Sequence, residues 1–377
     1  MNKECIIFGA GSIGKSVAGY CFRSAGVDVL FADVDRQSVD DINRRGGYRI
    51  VSSGGRTDGV DGVQALMIQN PALTSTRICD VDYICTSVGE SGLGPVLNAI
   101  SAGLASRTKR EPIRIILCEN IPHSYDFAFN YLKERADPDR FIIIESSVER
   151  MTKPCIGPAG ERDVIAEPFI PLILNRLRYG QDEVLSFNKN LFFETDQFES
   201  YYYRKIHTNN LGHAVLGYLG HLKGYQYLAQ SIEDPYIHKV LEECLFISGE
   251  MLRIRYGFTK EEMRHHLSGL MKRFSDSVLN DEIARVVKCP IRKLSKDERI
   301  IGTALKIAEC NLDPGALADV AAAALSYYNP SDEESVRLQE KLTTDGIDHV
   351  LKNVCSLDET SKLFLQIKNK YKSINGG

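Results

Sequence analysis

The sequence predicts an α/β protein in which an N-terminal, doubly wound Rossmann-type sheet is followed by a mostly α-helical C-terminal domain. Two observations carry this prediction. Strand-like apolar runs alternate with helix-like segments through the first half of the chain, which is typical of a mostly parallel sheet covered by helices. Beyond about residue 195, helix-length segments with periodic apolar residues take over.

The elements of the first half follow one another in a regular order. The apolar run CIIFGAG ends in glycines and is the first strand, and SIGKSVAGYCFRSAG has the periodicity of the helix that follows it. VDVLFADVD is the second strand and ends in a carboxylate, and RQSVDDINRRGG is the second helix. Further strands are predicted in VDYICTSVG, IRIILCEN, FIIIESSV, VIAEPF and PLILNR.

The second half contains a series of segments of helical length and period. Gly, Pro or Asp separates most of them, as expected at helix ends. Their sequences are HAVLGYLGHLKGYQYL, YIHKVLEECLFISGEMLRIRYG, KEEMRHHLSGLMKRF, GTALKIAECNL, GALADVAAAALSYY and ESVRLQEKL. We place the domain boundary near residue 190, within RYGQDEVLSFNKN, which gives a dinucleotide-type domain at 1–190 and a helical domain at 191–377.

Composition narrows the class of protein. The 377 residues are 43% hydrophobic and 25% charged, with a formal net charge of −4, which is ordinary for a globular chain with a sizeable core. Scattered basic residues argue against a nucleic-acid partner, and the apolar runs are too short to span a bilayer. The start of the chain lacks a signal-peptide core, so we expect a cytoplasmic protein without a membrane partner.

The ten cysteines predict neither disulfides nor a metal centre. No two of them are in CxxC spacing, and several lie inside strand-like apolar runs, such as Cys5 and Cys118. Reduced thiols that behave as small hydrophobic side chains explain this pattern. We therefore expect no structural zinc site.

Three glycines between the first strand and the first helix have GxGxxG spacing. Gly9 permits a tight turn, Gly11 allows the backbone to approach a pyrophosphate, and Gly14 allows close packing of the helix on the strand. The N-terminus of the helix offers free N–H groups and a favourable dipole to the phosphates. This arrangement predicts a dinucleotide site.

The second strand indicates which dinucleotide is bound. Its last residue is Asp33, 24 positions after Gly9, close to the spacing expected for the carboxylate that binds the adenosine ribose. This carboxylate would accept hydrogen bonds from the ribose hydroxyls and repel a 2′-phosphate. Arg36 follows only after a second acid, Asp35. The pattern favours NAD over NADP as the cofactor.

The stretch RKIHTNNLGH at 204–213 places polar groups ahead of an apolar helix. On an α-helix, Lys205, Asn210 and His213 would lie at roughly 0°, 140° and 80° around the axis, on one side. An alcohol oxidation needs a base for the hydroxyl proton and donors for the oxygen, and a Lys beside Arg204 could be that base. A charged helix start capped by Asn209 or Asn210 explains the spacing equally well.

Lys205, Asn210 and His213 form the motif K-x4-N-x2-H. With this motif, the chain resembles the polyol-specific long-chain dehydrogenases, the mannitol dehydrogenase family. The likeness extends over about 300 residues, and its motifs occur in family order. These motifs are FGAGSIGKS, FADVD, TSVG, CEN, SSVERM, KIHTNNLGHAVLGYLG and PIRKLSKDERI. The resemblance implies a metal-independent enzyme with a dinucleotide-binding domain followed by a helical one.

The resemblance also implies roles for individual residues. Lys205 would be the general base, and Asn210 together with Asn120 of CEN would donate amide hydrogens to the reacting oxygen. His213 would bind a neighbouring substrate hydroxyl.

Three further residues are implied around the substrate and the nicotinamide. Glu149 of SVERM stands where the family usually has Asp, and it would contact the substrate through a longer side chain. Thr86 and Val88 of TSVG, at the end of a strand, would line the nicotinamide side of the cleft.

The stretch PIRKLSKDER provides cations for an anionic substrate. Arg292, Lys293 and Arg299 could hold a phosphate, with Arg292 as the first choice, although a solvated basic face is the simpler explanation. The resemblance here is to the sugar-phosphate branch of the family. It implies NAD-dependent oxidation of D-mannitol 1-phosphate to D-fructose 6-phosphate.

Other functions remain open at this point. A hexuronate reductase or a free mannitol 2-dehydrogenase of the same family would use the same residues, because Arg binds carboxylates too. A dehydrogenase of the 6-phosphogluconate or β-hydroxyacid type would use Lys205 with Asn209, although His213 and CEN favour the polyol family. A non-catalytic NAD-binding sensor would need no base beside two amides. Whether His207 and Arg204 tune Lys205 is also open.

Overall fold

The chain forms a unit built on β-sheets, followed by a helical unit. The computed structural model describes residues 3–52, 55–69, 71–121, 123–179, 189–276 and 281–376. The two units are residues 1–201 and 202–377. The predicted fold class, a Rossmann-type sheet followed by helices, is confirmed. Most of the stretch 178–190, where the sequence places the domain boundary, lies outside the described residues, so that boundary stays a prediction.

The strands of the first unit belong to two sheets. In the described residues they are β1 (Glu4–Phe8), β2 (Asp28–Asp33), β3 (Gly47–Ser52), β4 (Thr57–Asp61), β5 (Gln64–Met67), β6 (Tyr83–Thr86), β7 (Ile113–Leu117), β8 (Phe141–Ser147), β9 (Thr152–Ile156), β10 (Arg162–Ala166), β11 (Leu172–Asn175) and β12 (Phe192–Thr195). The larger sheet has the order β12-β11-β8-β7-β6-β1-β2-β5. Its strands from β5 to β8 are parallel and have the strand order of a dinucleotide-binding sheet.

Strand β1 lies inside this sheet, between β6 and β2, and is parallel to both. Phe8 pairs with Ala32 of β2 and with Thr86 of β6. Alternate residues of β1 enter the apolar layers on opposite faces: Cys5 and Ile7 one layer, and Ile6 and Phe8 the other. Strand β1 is therefore buried on both faces and reads as a continuous apolar run.

The helices of the first unit connect these strands. They are α1 (Tyr20–Ser24), α2 (Arg36–Arg45), α3 (Pro71–Asp80), α4 (Glu90–Ser106) and α5 (Ser124–Lys133), and a π-helical turn, Gly14–Gly19, leads directly into α1. Helix α2 begins at an Asp35 N-cap and ends at Gly46 in the left-handed region, with φ +64°.

A second sheet of four strands, β4-β3-β10-β9, was only partly predicted. The sequence predicted VIAEPF as a late strand of this domain, and as β10 it pairs with β3 and β9 in the smaller sheet. The run PLILNR does extend the main sheet as β11, antiparallel to β8. Strand pairing between segments more than 100 residues apart leaves no local sequence signal, so the smaller sheet was not foreseen.

Apart from an isolated β-bridge between Tyr227 and Glu282, the regular elements in the described part of the second unit are helices. Helix α6 (Phe198–Arg204) contains the division between the units, and a π-helical turn, Lys205–Asn210, joins it to α7. The others are α7 (Leu211–Leu222), α8 (Leu228–Glu233), α9 (Pro235–Tyr256), α10 (Lys260–Phe274), α11 (Ile283–Val286), α12 (Pro290–Lys293), α13 (Ile301–Glu309), α14 (Leu317–Leu325), α15 (Glu333–Thr344), α16 (Gly346–Asn353) and α17 (Lys362–Ile374).

Helix α7 is the core helix of this unit, and three of its glycines allow other helices to come close. A Cβ on Gly212 would meet the Phe274 ring at 2.4 Å, and one on Gly220 would meet Ser231 Oγ at 2.0 Å. Gly217 faces the valines at the end of α11. Among the described helices, none is long and apolar enough to cross a membrane. All ten cysteines, each within the described ranges, are free thiols, and six are buried.

We predict that Gly14→Ala destabilises the first unit. An added Cβ would lie 1.9 Å from the carbonyl oxygen of Gly9, and neither backbone segment can move without disturbing the turn. The free energy of unfolding should fall by about 3 kcal/mol, measured by urea denaturation. Gly11→Ala is the control, because its Cβ would meet nothing within 4 Å. Equal stability of the two variants would contradict this account of the turn.

Candidate active site

The glycine-rich turn after β1 leaves an open space beside its second glycine. Gly9 has φ +98°, and a Cβ there would lie 2.5 Å from the carbonyl oxygen of Ser87, so only glycine fits. Gly14 packs against Gly9 itself, whereas a Cβ on Gly11 would have no atom within 4 Å. The geometry fits the tight turn at Gly9 and the close packing at Gly14, and the approach of a pyrophosphate at Gly11 stays a prediction.

The Asp33 carboxylate ties the turn to the loop after β2. One of its oxygens accepts a hydrogen bond from the backbone N–H of Ala10, and the other accepts one from Asp35 N at 2.8 Å. Asp33 is half-buried at the carboxyl edge of the sheet. Each carboxylate oxygen retains a free lone pair, so the side chain can still accept hydrogen bonds from ribose hydroxyls. These residues fit a dinucleotide.

The carboxyl ends of β6 and β7 carry the residues expected near the nicotinamide. Thr86 is fully buried, and its hydroxyl makes no hydrogen bond within the described ranges. Glu119 was not predicted from the sequence, yet its carboxylate accepts the backbone N–H groups of Val88 at 3.0 Å and Gly89 at 2.9 Å. Asn120 follows it and is exposed. Glu119 therefore links the loop after β6 to the loop that carries Asn120.

Glu149 follows β8 and is buried, with 7% of its surface exposed. The next residue, Arg150, donates hydrogen bonds to the carbonyl of Ser16 at 2.5 Å and to that of Glu167 at 2.9 Å. Arg150 thus connects this segment to the first helix of the glycine-rich motif. Burial lowers the pKa of the Arg150 guanidinium. The contact of Glu149 with a substrate stays a prediction.

In the second unit, the residues of the polar stretch 204–213 differ in how far they are exposed to solvent. Lys205, Asn210 and His213 are half-exposed, whereas 206–209 and 211–212 are buried. The π-helical turn at Lys205–Asn210 changes the expected geometry, because its hydrogen bonds run from residue i to i+5 and place Lys205 and Asn210 one turn apart. Asn209 is 5% exposed and accepts from Thr208. Burial therefore favours Asn210 over Asn209 as the reactive amide.

His213 is held by two contacts within the second unit. Its Nδ1 donates to the carbonyl oxygen of Asn209 at 2.8 Å, which fixes the tautomer, and its Nε2 lies 3.7 Å from Asp281 Oδ2. The Phe274 ring packs edge-on at 5.0 Å. Burial raises the pKa of Asp281, but the neighbouring His213 imidazole and the charge of Arg285 outweigh it and lower the pKa overall.

Asp281 was missed by the sequence analysis. It stands 68 positions after His213, so no helical spacing connects the two residues. Only the packing of the segment before α11 against α7 brings them together.

His207 is a core residue. It is fully buried, its Nδ1 donates to Thr303 Oγ1 at 2.7 Å, and Ser248 donates to its carbonyl at 2.6 Å. The ring stacks on Tyr203 at 5.6 Å. Burial, then the nearby cations Lys306 and Arg255, lower its pKa to about 3, so the imidazole is neutral. A structural role for His207 explains these contacts without any effect on Lys205.

The cations of 290–299 surround one carboxylate that the sequence analysis did not single out. Glu298 accepts from Arg292 at 2.6 Å and from Arg299 at 2.9 Å. Arg299 is buried, whereas the Arg292 side chain is 39% exposed. Lys293 is buried and donates to the carbonyl of Val286; burial, then Arg299 and Arg292, lower its pKa to about 7. Arg292 is therefore the accessible cation of the three.

No group of three or more His, Cys, Asp or Glu side chains in the described parts of the chain is arranged to hold a metal ion. The polar groups on α7 and its preceding turn comprise an amine, an amide and an imidazole. Such a set can move a proton and donate hydrogen bonds to a substrate oxygen.

Two family models match the chain and together span most of it. Residues 3–176 match the mannitol dehydrogenase Rossmann domain, and residues 197–375 match the mannitol dehydrogenase C-terminal domain. Curated relatives include the mannitol-1-phosphate 5-dehydrogenase of Bacillus pumilus, 32% identical over 97% of this chain and 98% of its own. The mannitol-1-phosphate 5-dehydrogenase of Bacillus velezensis is 33% identical over 93% of this chain and 94% of its own.

Solved structures share the fold at low sequence identity. A substrate-free D-sorbitol dehydrogenase has a TM-score of 0.78 at 16% identity, covering 100% of this chain and 93% of its own. The Pseudomonas fluorescens mannitol 2-dehydrogenase ternary complex with NAD and D-mannitol has a TM-score of 0.74 at 15% identity, covering 100% and 92%. These similarities support the fold of both units.

We predict that His207 makes the stability of the second unit depend on pH. Its pKa in the folded chain, about 3, lies below the ordinary 6.5, so stability is present above pH 6.5 and is lost as the pH falls towards 3. Between pH 7 and pH 4.5 this residue should account for a loss of about 2 to 3 kcal/mol.

The measurement is urea denaturation of the wild type and His207→Asn at both pH values. Asn keeps an N–H donor for Thr303 but does not titrate, so the variant should lose less stability on acidification than the wild type. His265→Asn removes an exposed histidine and is the control. Identical pH dependence of His207→Asn and the wild type would refute this assignment.

Proposed function

The chain belongs to the mannitol dehydrogenase family of oxidoreductases, and we propose that it interconverts D-mannitol 1-phosphate and D-fructose 6-phosphate with NAD. The observation that carries the proposal is the half-exposed set Lys205, Asn210 and His213 on an otherwise buried segment. Relatives that are 30% to 33% identical over nearly the whole chain bear the name mannitol-1-phosphate 5-dehydrogenase. Their names support the phosphorylated substrate.

The residues proposed to hold NAD belong to the first unit. Gly11 provides the open space for the pyrophosphate, and Asp33 accepts from the ribose hydroxyls. Thr86 and Val88 line the nicotinamide side. NAD, when bound, accepts the hydride from the alcohol or returns it to the ketone.

Lys205 is proposed to move the proton. In the oxidation direction its neutral amine takes the proton of the substrate hydroxyl, and in reduction the ammonium returns it to the ketone oxygen. Asn210 donates its amide N–H to the same oxygen, and within the described residues no hydrogen bond engages that amide. His213, fixed by Asn209 and Asp281, presents its imidazole to a neighbouring hydroxyl. The role of Asn120 as the second amide donor stays a prediction.

The phosphate is proposed to bind at Arg292, the accessible cation, with buried Arg299 held beside it by Glu298. A guanidinium matches the geometry of phosphate oxygens and forms two parallel hydrogen bonds. Two guanidinium groups share the single carboxylate of Glu298, which leaves the cluster with a positive excess. Lys293 is buried, donates to the carbonyl of Val286 and has its pKa lowered to about 7, so we assign it neither a direct contact with the phosphate nor a full positive charge.

We expect Lys205→Ala to lower kcat by about 10² to 10⁴, because the base and acid of the reaction is removed. Lys205→Arg is the matched control, since it keeps the charge but cannot deprotonate at neutral pH, and it should be equally slow. NADH binding, followed by nicotinamide fluorescence, should be unchanged in both. Near-normal turnover of either variant would exclude Lys205 as the base.

The substrate is tested by NADH oxidation with fructose 6-phosphate, fructose, fructuronate and tagaturonate in parallel. We expect kcat/KM for fructose 6-phosphate to exceed that for fructose by about 10² or more, because two charge-assisted hydrogen bonds are lost without the phosphate. Arg292→Gln should remove most of this preference through KM and leave activity on fructose unchanged.

Equal activity on fructose would contradict the phosphate assignment. Higher activity on either hexuronate would favour a hexuronate reductase, because the same arginines can bind a carboxylate.

A further inference from the structure

An ion pair links the smaller sheet to the loop that follows β2. Arg162, the first residue of β10, places its guanidinium 3.1 Å from the carboxylate of Asp35. A second guanidinium nitrogen hydrogen-bonds the side chain of Gln37. Asp35 is the N-cap of α2, accepting from Gln37 N and from Ser38 Oγ, and its own N–H donates to Asp33. Arg162 is therefore connected through Asp35 to Asp33, the carboxylate proposed to bind the adenosine ribose.

The backbone of Arg162 is fixed on both sides. Its N–H donates to Asp41 Oδ2 at 2.8 Å, and its carbonyl accepts the ammonium of buried Lys15 at 2.6 Å. Lys15 belongs to the helix of the glycine-rich motif and Asp41 to α2. The backbone of Arg162 is thus anchored to both elements of the predicted nucleotide site, and Asp35 and Gln37 hold its guanidinium.

We propose that Arg162 is a latent 2′-phosphate ligand whose charge is neutralised by Asp35, and that this pair helps to select NAD over NADP. The proposal rests on the proposed function, because it assumes that the dinucleotide binds in the first unit. Arg36 is also close in sequence, but it is exposed and lies in the first turn of α2. Arg162 differs from it in that its backbone is anchored at both the N–H and the carbonyl, and a planar guanidinium loses little freedom per hydrogen bond when it binds a phosphate.

Two electrostatic effects oppose the binding of a 2′-phosphate to the wild type. The negative charges of Asp33 and Asp35 repel it, and the guanidinium of Arg162 is already paired with a carboxylate. Replacing Asp35 by Asn removes one repulsion and releases Arg162. Asn is also a favourable N-cap, so α2 keeps its capping hydrogen bonds. Because the ion pair is partly exposed, its loss should affect stability little.

The experiment measures dissociation constants of NADH and NADPH by nicotinamide fluorescence on the full chain. Asp35→Asn should tighten NADPH binding about tenfold or more and change NADH binding less than about threefold. The gain should shrink as salt concentration rises. Asp35→Asn/Arg162→Gln should lose the gain, whereas Asp35→Asn/Arg36→Gln should keep it.

Three outcomes would overturn the proposal. An NADPH affinity of Asp35→Asn within about twofold of the wild type would remove the neutralising role of Asp35. A gain that survives Arg162→Gln, or one that disappears with Arg36→Gln, would exclude Arg162 as the ligand. Failure of the wild type to bind NADH would instead refute the proposed cofactor, so the two failures are distinguishable.

Discussion

The parallel pairing of β1 with both β2 and β6 is the constraint on which the first unit depends. Parallel neighbours end at the same edge of a sheet, so the turn at Gly9, the carboxylate of Asp33 and the loop after Thr86 must meet there. The Asp33 carboxylate then accepts a hydrogen bond from the turn. Gly9 lies so close to the carbonyl oxygen of Ser87 that no side chain would fit there. The nucleotide site is thus a consequence of strand order.

Each unit has a π-helical turn at its candidate site: Gly14–Gly19 follows the glycine-rich turn of the first unit, and Lys205–Asn210 begins and ends with two candidate residues of the second. A π-turn is rare because its backbone winding is less favourable, and it persists where surrounding packing holds it. At Lys205–Asn210 that packing comes from His207, which is bonded to Thr303 and Ser248 inside the core. The contacts on the buried face of this turn hold the residues on its exposed face in place. They also determine that Asn210 reaches solvent and Asn209 does not.

Much of the molecule could be predicted because the signals are local. The alternation of strands and helices, the glycine spacing and Asp33 each depend on a few neighbouring residues, and the described structure agrees with them. The likeness of the 204–213 stretch to polyol dehydrogenases indicated Lys205, Asn210 and His213, and all three are partly exposed, as is Arg204. The smaller sheet escaped prediction because β3 and β10 pair across more than 100 residues.

The sequence by itself determined the order of the elements, the nucleotide motif and the family of the chain, because these depend on residue types at short spacing. Only the tertiary structure decided which charges meet. It placed Asp281 beside His213, Glu298 between two arginines, and Arg162 on Asp35. Contacts between residues far apart in sequence arise from the packing of whole elements. For that reason, the electrostatic environment of each candidate site residue could be described only once the fold was known.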